Sequence, residues 1–421
     1  MSSPAQADMT AREKTPVAPG ARVATLDILR GFAILGMVLA HFHKLMGEGA
    51  SGLEPVSPVG WFITLAAAEK DRAIFALLFG CGFALMMRNL QAGGHAVVAV
   101  SLRRLGVLYL FGFLVESLTQ FAILRAFAWW GVALLFLRHY STRSLLAVAV
   151  ICAAAFSVRD IVDSSHAVLK LGHQPAVAAE IARQEQWEAE QQMEREAVNG
   201  ANYVAVVSAR IRQMGHDLFS LSMLTPNEYL ALFILGFLAV RHGVFEHPQR
   251  HRRLFLGAMA AGLAIWTADW WLLPLVPEHF ATPRIGMQLQ AGLGIVDEQF
   301  LAFSYLGALA LLLAHRPGVA GRLRGFGSVG RMALTNYIIH AALIDFASAP
   351  YGLNLRLNPA MVLLASAVLF GGLVLFSDAW LAHFRFGPVE WLWRSLTYWR
   401  WQPLRLAQET RARSNTSKTP P

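Results

Sequence analysis

The sequence predicts an all-α integral membrane protein of about ten transmembrane helices in one bundle, with N- and C-termini cytoplasmic. Three observations carry that prediction. Of the 421 residues, 55% are hydrophobic and only 15% charged, against roughly 25% charged in a soluble protein. Mean hydropathy is +0.44. The apolar residues gather in blocks of membrane-crossing length separated by basic clusters, unlike the short alternating segments of a β-barrel.

Spans are expected near residues 24–43, 73–90, 104–119, 122–138, 144–159, 228–242, 254–276, 299–315, 332–349 and 360–383. The third is the least regular, because Glu116 and Arg125 bracket a short break. With the N-terminus inside, roughly two thirds of the 36 Lys and Arg fall on the cytoplasmic side, as the positive-inside rule requires. That distribution accounts for the net charge of +9 without nucleic acid. The chain divides into a disordered cytoplasmic tail (1–22), an N-terminal bundle of about five spans (23–159), an extracytoplasmic, partly helical segment (160–227), a C-terminal bundle (228–400) and a disordered basic tail (401–421). In the third of these, the charged run from Ala179 to Glu196 reads as a solvated or interfacial helix. It is either a connector or a lid over the membrane site. The first span is long and no small-x-small site precedes Lys44, so no cleavable signal peptide is expected.

Cys81 and Cys152 lie within apolar spans and read as small buried hydrophobes. The histidines are scattered, and His41 with His43 is not ligand spacing on one helix face, so no metal is expected. No Walker-type loop supports ATP chemistry. No internal repeat is evident, which counts against an inverted-repeat transporter.

The first span carries charge where lipid forbids it. Asp27, Arg30 and His41 share one helix face, with Arg30 and His41 about 16 Å apart at 1.5 Å per residue. Polar groups in a membrane helix face the bundle interior. Two readings stay open: a helix-end ion pair with a satisfied buried histidine, or an arginine anchoring an anionic donor with the histidine as general base. Arg103 and Arg104 read either as positive-inside anchors or as cations for the phosphates of an acyl-coenzyme A. Asn336 and His340, four apart on one face, either glue helices together or line the cavity of His41. Asp269 and Asp378 are single intramembrane acids, free to pair or to relay protons.

Arg30, ten residues, then His41 resembles the Arg-x10-His signature of the type three membrane-bound acyltransferases. Residues 26–33, Leu-Asp-Ile-Leu-Arg-Gly-Phe-Ala, are similar to the opening of a broader transmembrane acyltransferase-like set that includes heparan-glucosaminide acetyltransferase. Four further stretches resemble the YeiB-like family, domain of unknown function 418. They are Phe75 to Phe83 (FALLFGCGF), Arg103-Arg104-Leu105, Val329 to Tyr337 (VGRMALTNY) and Gly387 to Thr397 (GPVEWLWRSLT). That family usually carries Asn at the position of His41, and a His and an Asp where this chain has Val115 and Ala122, with Glu116 as a candidate substitute. The resemblance implies a bacterial inner-membrane protein. It implies an acyltransferase moving an acyl group from cytoplasmic acyl-CoA to an envelope glycan or small-molecule acceptor. His41, Asp27, Asn336 and His340 would be catalytic, and Arg30, Arg103 and Arg104 would bind the donor, with no tightly bound cofactor. His41 would deprotonate the acceptor or transiently carry the acyl group. The alternatives are a multi-spanning permease, for which buried acids suit proton-coupled flux, or a non-catalytic membrane protein.

Overall fold

The computed structural model describes residues 24–47, 57–67, 70–121, 123–198, 202–219, 228–272, 299 and 301–406. These form helices α1 (Ala24–Met46), α2 (Pro58–Ala66), α3 (Lys70–Ala92), α4 (Val97–Leu118), α5 (Leu124–Leu137), α6 (Thr142–Leu171), α7 (His173–Val198) and α8 (Tyr203–Phe219). They continue as α9 (Glu228–Arg241), α10 (Arg252–Leu272), α11 (Leu301–His315), α12 (Pro317–Arg322), α13 (Arg324–Arg331), α14 (Ala333–Ser348), α15 (Pro359–Leu381) and α16 (Pro388–Thr397). Among the described residues the only β feature is an isolated bridge between Phe384 and Arg405. Both tails beyond these limits, and the link between α10 and α11, lie outside the described residues.

Within the described residues, each expected span overlaps a helix. By length and composition, α1, α3, α4 and α15 are long and apolar enough to cross a membrane, and α5, α9, α11 and residues 142–155 of α6 are shorter apolar helices. The outer faces are apolar as well: Leu110, Leu114 and Leu118 on α4, and Leu364, Val368 and Leu375 on α15, are exposed. Exposed apolar side chains at helical spacing on both helices are what a membrane-facing surface requires.

The starts follow from capping. Ser141 accepts from the Ser144 amide at 3.1 Å, and Asn358 accepts from the Met361 amide at 2.9 Å ahead of Pro359. Such caps satisfy orphan first-turn donors. Two boundaries differ from expectation. α4 begins at Val97, so Arg103 and Arg104 sit two turns inside it rather than at its opening. Nothing in the run from Val97 to Leu102 breaks a helix. α6 continues past residue 159 to Leu171, because the first breaker is Gly172, whose φ of 85° ends it.

α1 is the hub. It packs against α3, α13, α14 and α15. Its contact with α13 is backbone to backbone: a Cβ on Gly330 would stand 1.8 Å from the Asp27 carbonyl oxygen, and one on Gly31 would stand 2.1 Å from that of Phe326. Small residues at a membrane-helix crossing permit this approach. It places residues 26–33 directly against the VGRMALTNY stretch and the residues just before it.

Candidate functional site

One end of α1 faces a cavity of about 1030 Å³. Six arginines line it: Arg30, Arg88, Arg104, Arg331, Arg385 and Arg394. Asp27, Asn89, Glu390 and Gln402 also line it, and an apolar wall is made by Phe75, Leu78, Phe79, Phe83 and Leu108. Arg30 donates to Asp27 at 3.0 Å. Its guanidinium needs the bare backbone of α3, because a Cβ on Gly82 would lie 2.8 Å from Arg30 Nη2. Arg104 stacks 3.6 Å above the Trp393 ring, and Trp393 Nε1 donates to the Arg104 carbonyl at 2.8 Å. Arg103 does not line the cavity. One residue on a helix is a 100° turn, so the pair read together in sequence points two ways.

His41, Asn336 and His340 do not line the cavity either. They form a second centre further along α1 and α14. His340 is fully buried, and its Nδ1 lies 3.0 Å from the Asn336 carbonyl. A carbonyl only accepts, so Nδ1 carries the hydrogen. In the neutral ring Nε2 is then a lone pair, and it lies 3.2 Å from His41 Nδ1. His41 Nδ1 must therefore donate, which leaves the lone pair of His41 on Nε2. Two neutral imidazoles in series thus present an acceptor nitrogen, the state a general base needs. The Asn336 amide nitrogen donates to the Val329 carbonyl at 3.1 Å and to Ser377 Oγ at 2.9 Å, while its buried Oδ1 has no hydrogen-bond partner among the described residues. Aromatic rings separate the two centres. Phe75 on the cavity wall is 6.3 Å from the Tyr337 ring, and Tyr337 is 5.4 Å from His340.

On the far side of the histidines lies an ionic cluster. Asp345 accepts from Arg210 Nη2 at 3.2 Å, from the Gln120 amide at 3.0 Å and from the Tyr351 hydroxyl. Burial and the bond to Asp345 push the Tyr351 phenol up to about 12, so it remains a donor.

Residues 239–400 match the family model described as "Protein of unknown function (DUF418)". Residues 22–181 match the model described as "Heparan-alpha-glucosaminide N-acetyltransferase, catalytic". The chain is 29% identical to the uncharacterized protein YxaH of Bacillus subtilis, over 92% of this chain and 97% of that one. It is 26% identical to the uncharacterized protein YeiB of Escherichia coli, over 89% and 96% respectively. The chain is thus similar to DUF418 proteins over its C-terminal part and to the acetyltransferase catalytic model over its N-terminal part. No solved structure matches it.

The DUF418 signature stretches interlock. Glu390 Oε1 accepts from the Leu334 and Thr335 amides at 2.7 and 3.0 Å, capping α14 from more than fifty residues downstream. Val389 N donates to Thr335 Oγ1 at 3.2 Å. The GPVEWLW stretch is thus a closure of the bundle that holds His340's helix at one end and Arg104 at the other. Where the family resemblance implies a polar pair, Val115 is buried apolar surface, and the side chain of Ala122 lies outside the described residues. Glu116 makes a bidentate pair with Arg125, both bonds 2.8 Å, which closes the turn between α4 and α5. Asp269 lies on α10 but its side chain is outside the described residues; Asp378 is part-buried on α15 and belongs to neither centre. Sequence reasoning missed Arg331, Arg385 and Arg394 as cavity residues, and Arg210 and Phe121 altogether. Their cue was only being basic or aromatic, which many residues share.

Proposed function

We propose that this protein is a membrane acyltransferase that takes an acyl-CoA from the cytoplasm and passes the acyl group to an extracytoplasmic acceptor such as an envelope glycan. In this reading the ten apolar helices span the bacterial inner membrane with both termini inside. Arg30 and Arg104 bind donor phosphates, with Arg331, Arg385 and Arg394 around them, and Asp27 orients Arg30. Arg103 serves as an interfacial anchor. The apolar wall takes the donor's pantetheine arm, which must pass the Phe75–Tyr337 contact to bring its thioester to His41. His41 Nε2 takes the proton of the acceptor hydroxyl or amine. The freed oxygen or nitrogen attacks the thioester carbonyl, the carbon–sulfur bond breaks, and the departing thiolate takes the proton back from His41. His340 and the Asn336 carbonyl hold the tautomer that makes this possible.

The observation that carries the reading is the pairing on one helix, α1, of an arginine-lined cavity with a histidine whose Nδ1 is engaged by His340, which makes Nε2 its acceptor nitrogen. The match to an acetyltransferase catalytic model over residues 22–181 supports it, since that stretch contains Arg30, Arg104 and His41. Coenzyme A titrated into detergent-purified protein tests the donor half. Binding is expected to weaken at least tenfold in Arg30→Ala and Arg104→Ala and to be unchanged in Arg103→Ala. Equal loss in all three, or no binding at all, contradicts the assignment.

A further inference from the structure

Phe121 lies directly on His41, with ring centroids 4.2 Å apart, and its ring is 6.3 Å from His340. It stands in the short turn between α4 and α5. That turn is held by its neighbour Gln120, whose amide donates to Asp345 Oδ1 at 3.0 Å and whose side chain donates to Ser348 Oγ at 3.1 Å. Asp345 is held in turn by Arg210 of α8. One continuous set of contacts therefore runs from α8 through Asp345 and Gln120 to the ring covering His41.

The seat of α8 is narrow. Val206, Arg210 and Met214 are its buried residues among those described, one every fourth position, and Tyr203 and Val204 ahead of them are exposed. A single-file stripe with a charge at its centre buries little apolar area. Arg210 is only 5% exposed, yet its Nε and Nη1 have no hydrogen-bond partner among the described residues. Each buried donor left unmade costs about 1–3 kcal/mol. The docked arrangement thus carries a penalty that water, or polar groups of an arriving acceptor, would relieve.

We propose that Arg210, Asp345 and Gln120 form a latch that keeps Phe121 over His41, and that its release admits the acceptor from the end opposite the arginine cavity. This rests on His41 being the reactive group, and it adds a control on access to it. A merely structural ion pair predicts loosening of the whole bundle when broken. A latch predicts exposure confined to His41.

The test reads access rather than catalysis. Cys81 and Cys152, both free and buried, are replaced by alanine, and His41→Cys supplies a reporter thiol whose reaction with a methanethiosulfonate reagent is timed in purified protein. Asp345→Asn, Arg210→Gln and Phe121→Ala are each expected to speed labelling at least tenfold. Asp345→Asn added to Phe121→Ala is expected to give no further gain. Ser377→Cys, a second reporter at a fully buried position beside Asn336, is expected to stay at its slow rate in every variant. Phe121→Ala leaves the latch bonds intact, so it decides the matter if the charged variants do not fold. A flat rate in Phe121→Ala, equal acceleration of both reporters, or multiplying effects would overturn the proposal. Because no acyl donor is present, either result leaves the acyl-transfer reading to its own assay.

Discussion

His41 and Arg30 share a face because eleven residues make almost exactly three turns of helix. That relation is local, so it is legible in the sequence. The partner that fixes the tautomer of His41 is not: His340 arrives from 299 residues away, and only tertiary packing brings it there. Arg103 and Arg104 illustrate the converse. Sequence treats the two alike, while the Trp393 ring selects Arg104 alone for the cavity side. Gly82 makes a sharp test at this scale. In Gly82→Ala the new methyl would press on Arg30 Nη2, the flexible end of a side chain. Arg30 should shift rather than the fold break. Calorimetric titration is expected to show coenzyme A binding weakened about tenfold, or about 1.4 kcal/mol, with the melting temperature unchanged. Gly372→Ala, where an added Cβ meets nothing within 4 Å, is the control expected to leave both unaltered.

At the scale of elements, α14 depends on a carboxylate supplied by α16. Glu390→Ala leaves the first-turn amides of Leu334 and Thr335 without that acceptor and is expected to cost about 1–2 kcal/mol, seen as a lower melting temperature in detergent. Glu390→Gln keeps an acceptor oxygen and should cost less. The two also differ with pH. Burial raises the Glu390 carboxyl above its ordinary 4.5, against the opposing pull of its hydrogen bonds to Thr335 and Leu334. The folded state therefore holds this proton more tightly than the unfolded state. Its contribution is full below 4.5 and declines as pH rises through the raised value. Melting temperatures of wild type and Glu390→Gln measured upward from pH 4.5 are expected to diverge, with wild type losing stability relative to the variant. The backbone crossing of α1 and α13 gives a third expectation: Gly330→Leu cannot be accommodated by a side-chain shift, since it meets the Asp27 carbonyl. It is expected to abolish folded protein in size-exclusion chromatography, whereas the same change at exposed, uncrowded Gly371 is tolerated. Apolar periodicity located the four helices long enough to cross a membrane and the four shorter apolar ones, because burial in a bundle and exposure to lipid both demand apolar faces. It misjudged the length of α6 because a helix ends at a breaker, here Gly172, rather than where hydrophobicity fades.

Over the whole molecule, charge is sorted along the bundle axis. Arginines ring the cavity at one end, neutral imidazoles occupy the middle behind an aromatic layer, and the Arg210–Asp345 pair closes the other end. Sequence patterning conveyed the first of these through the basic clusters. It did not convey that Phe75 and Tyr337 stand between the arginines and His41, because no pattern in a chain encodes which rings from α3 and α14 meet. The layered order is what vectorial transfer needs: donor and acceptor approach from opposite ends and meet at one nitrogen. The central claim is that His41 mediates that transfer. The most direct measurement is release of free coenzyme A thiol by proteoliposomes supplied with acetyl-coenzyme A outside and an envelope glycan extract inside, for wild type and His41→Ala. Wild type is expected to release thiol in proportion to acylated glycan. His41→Ala, with an unchanged melting temperature and intact coenzyme A binding, is expected to fall by about 10²–10⁴. Equal release by the two proteins would contradict the account.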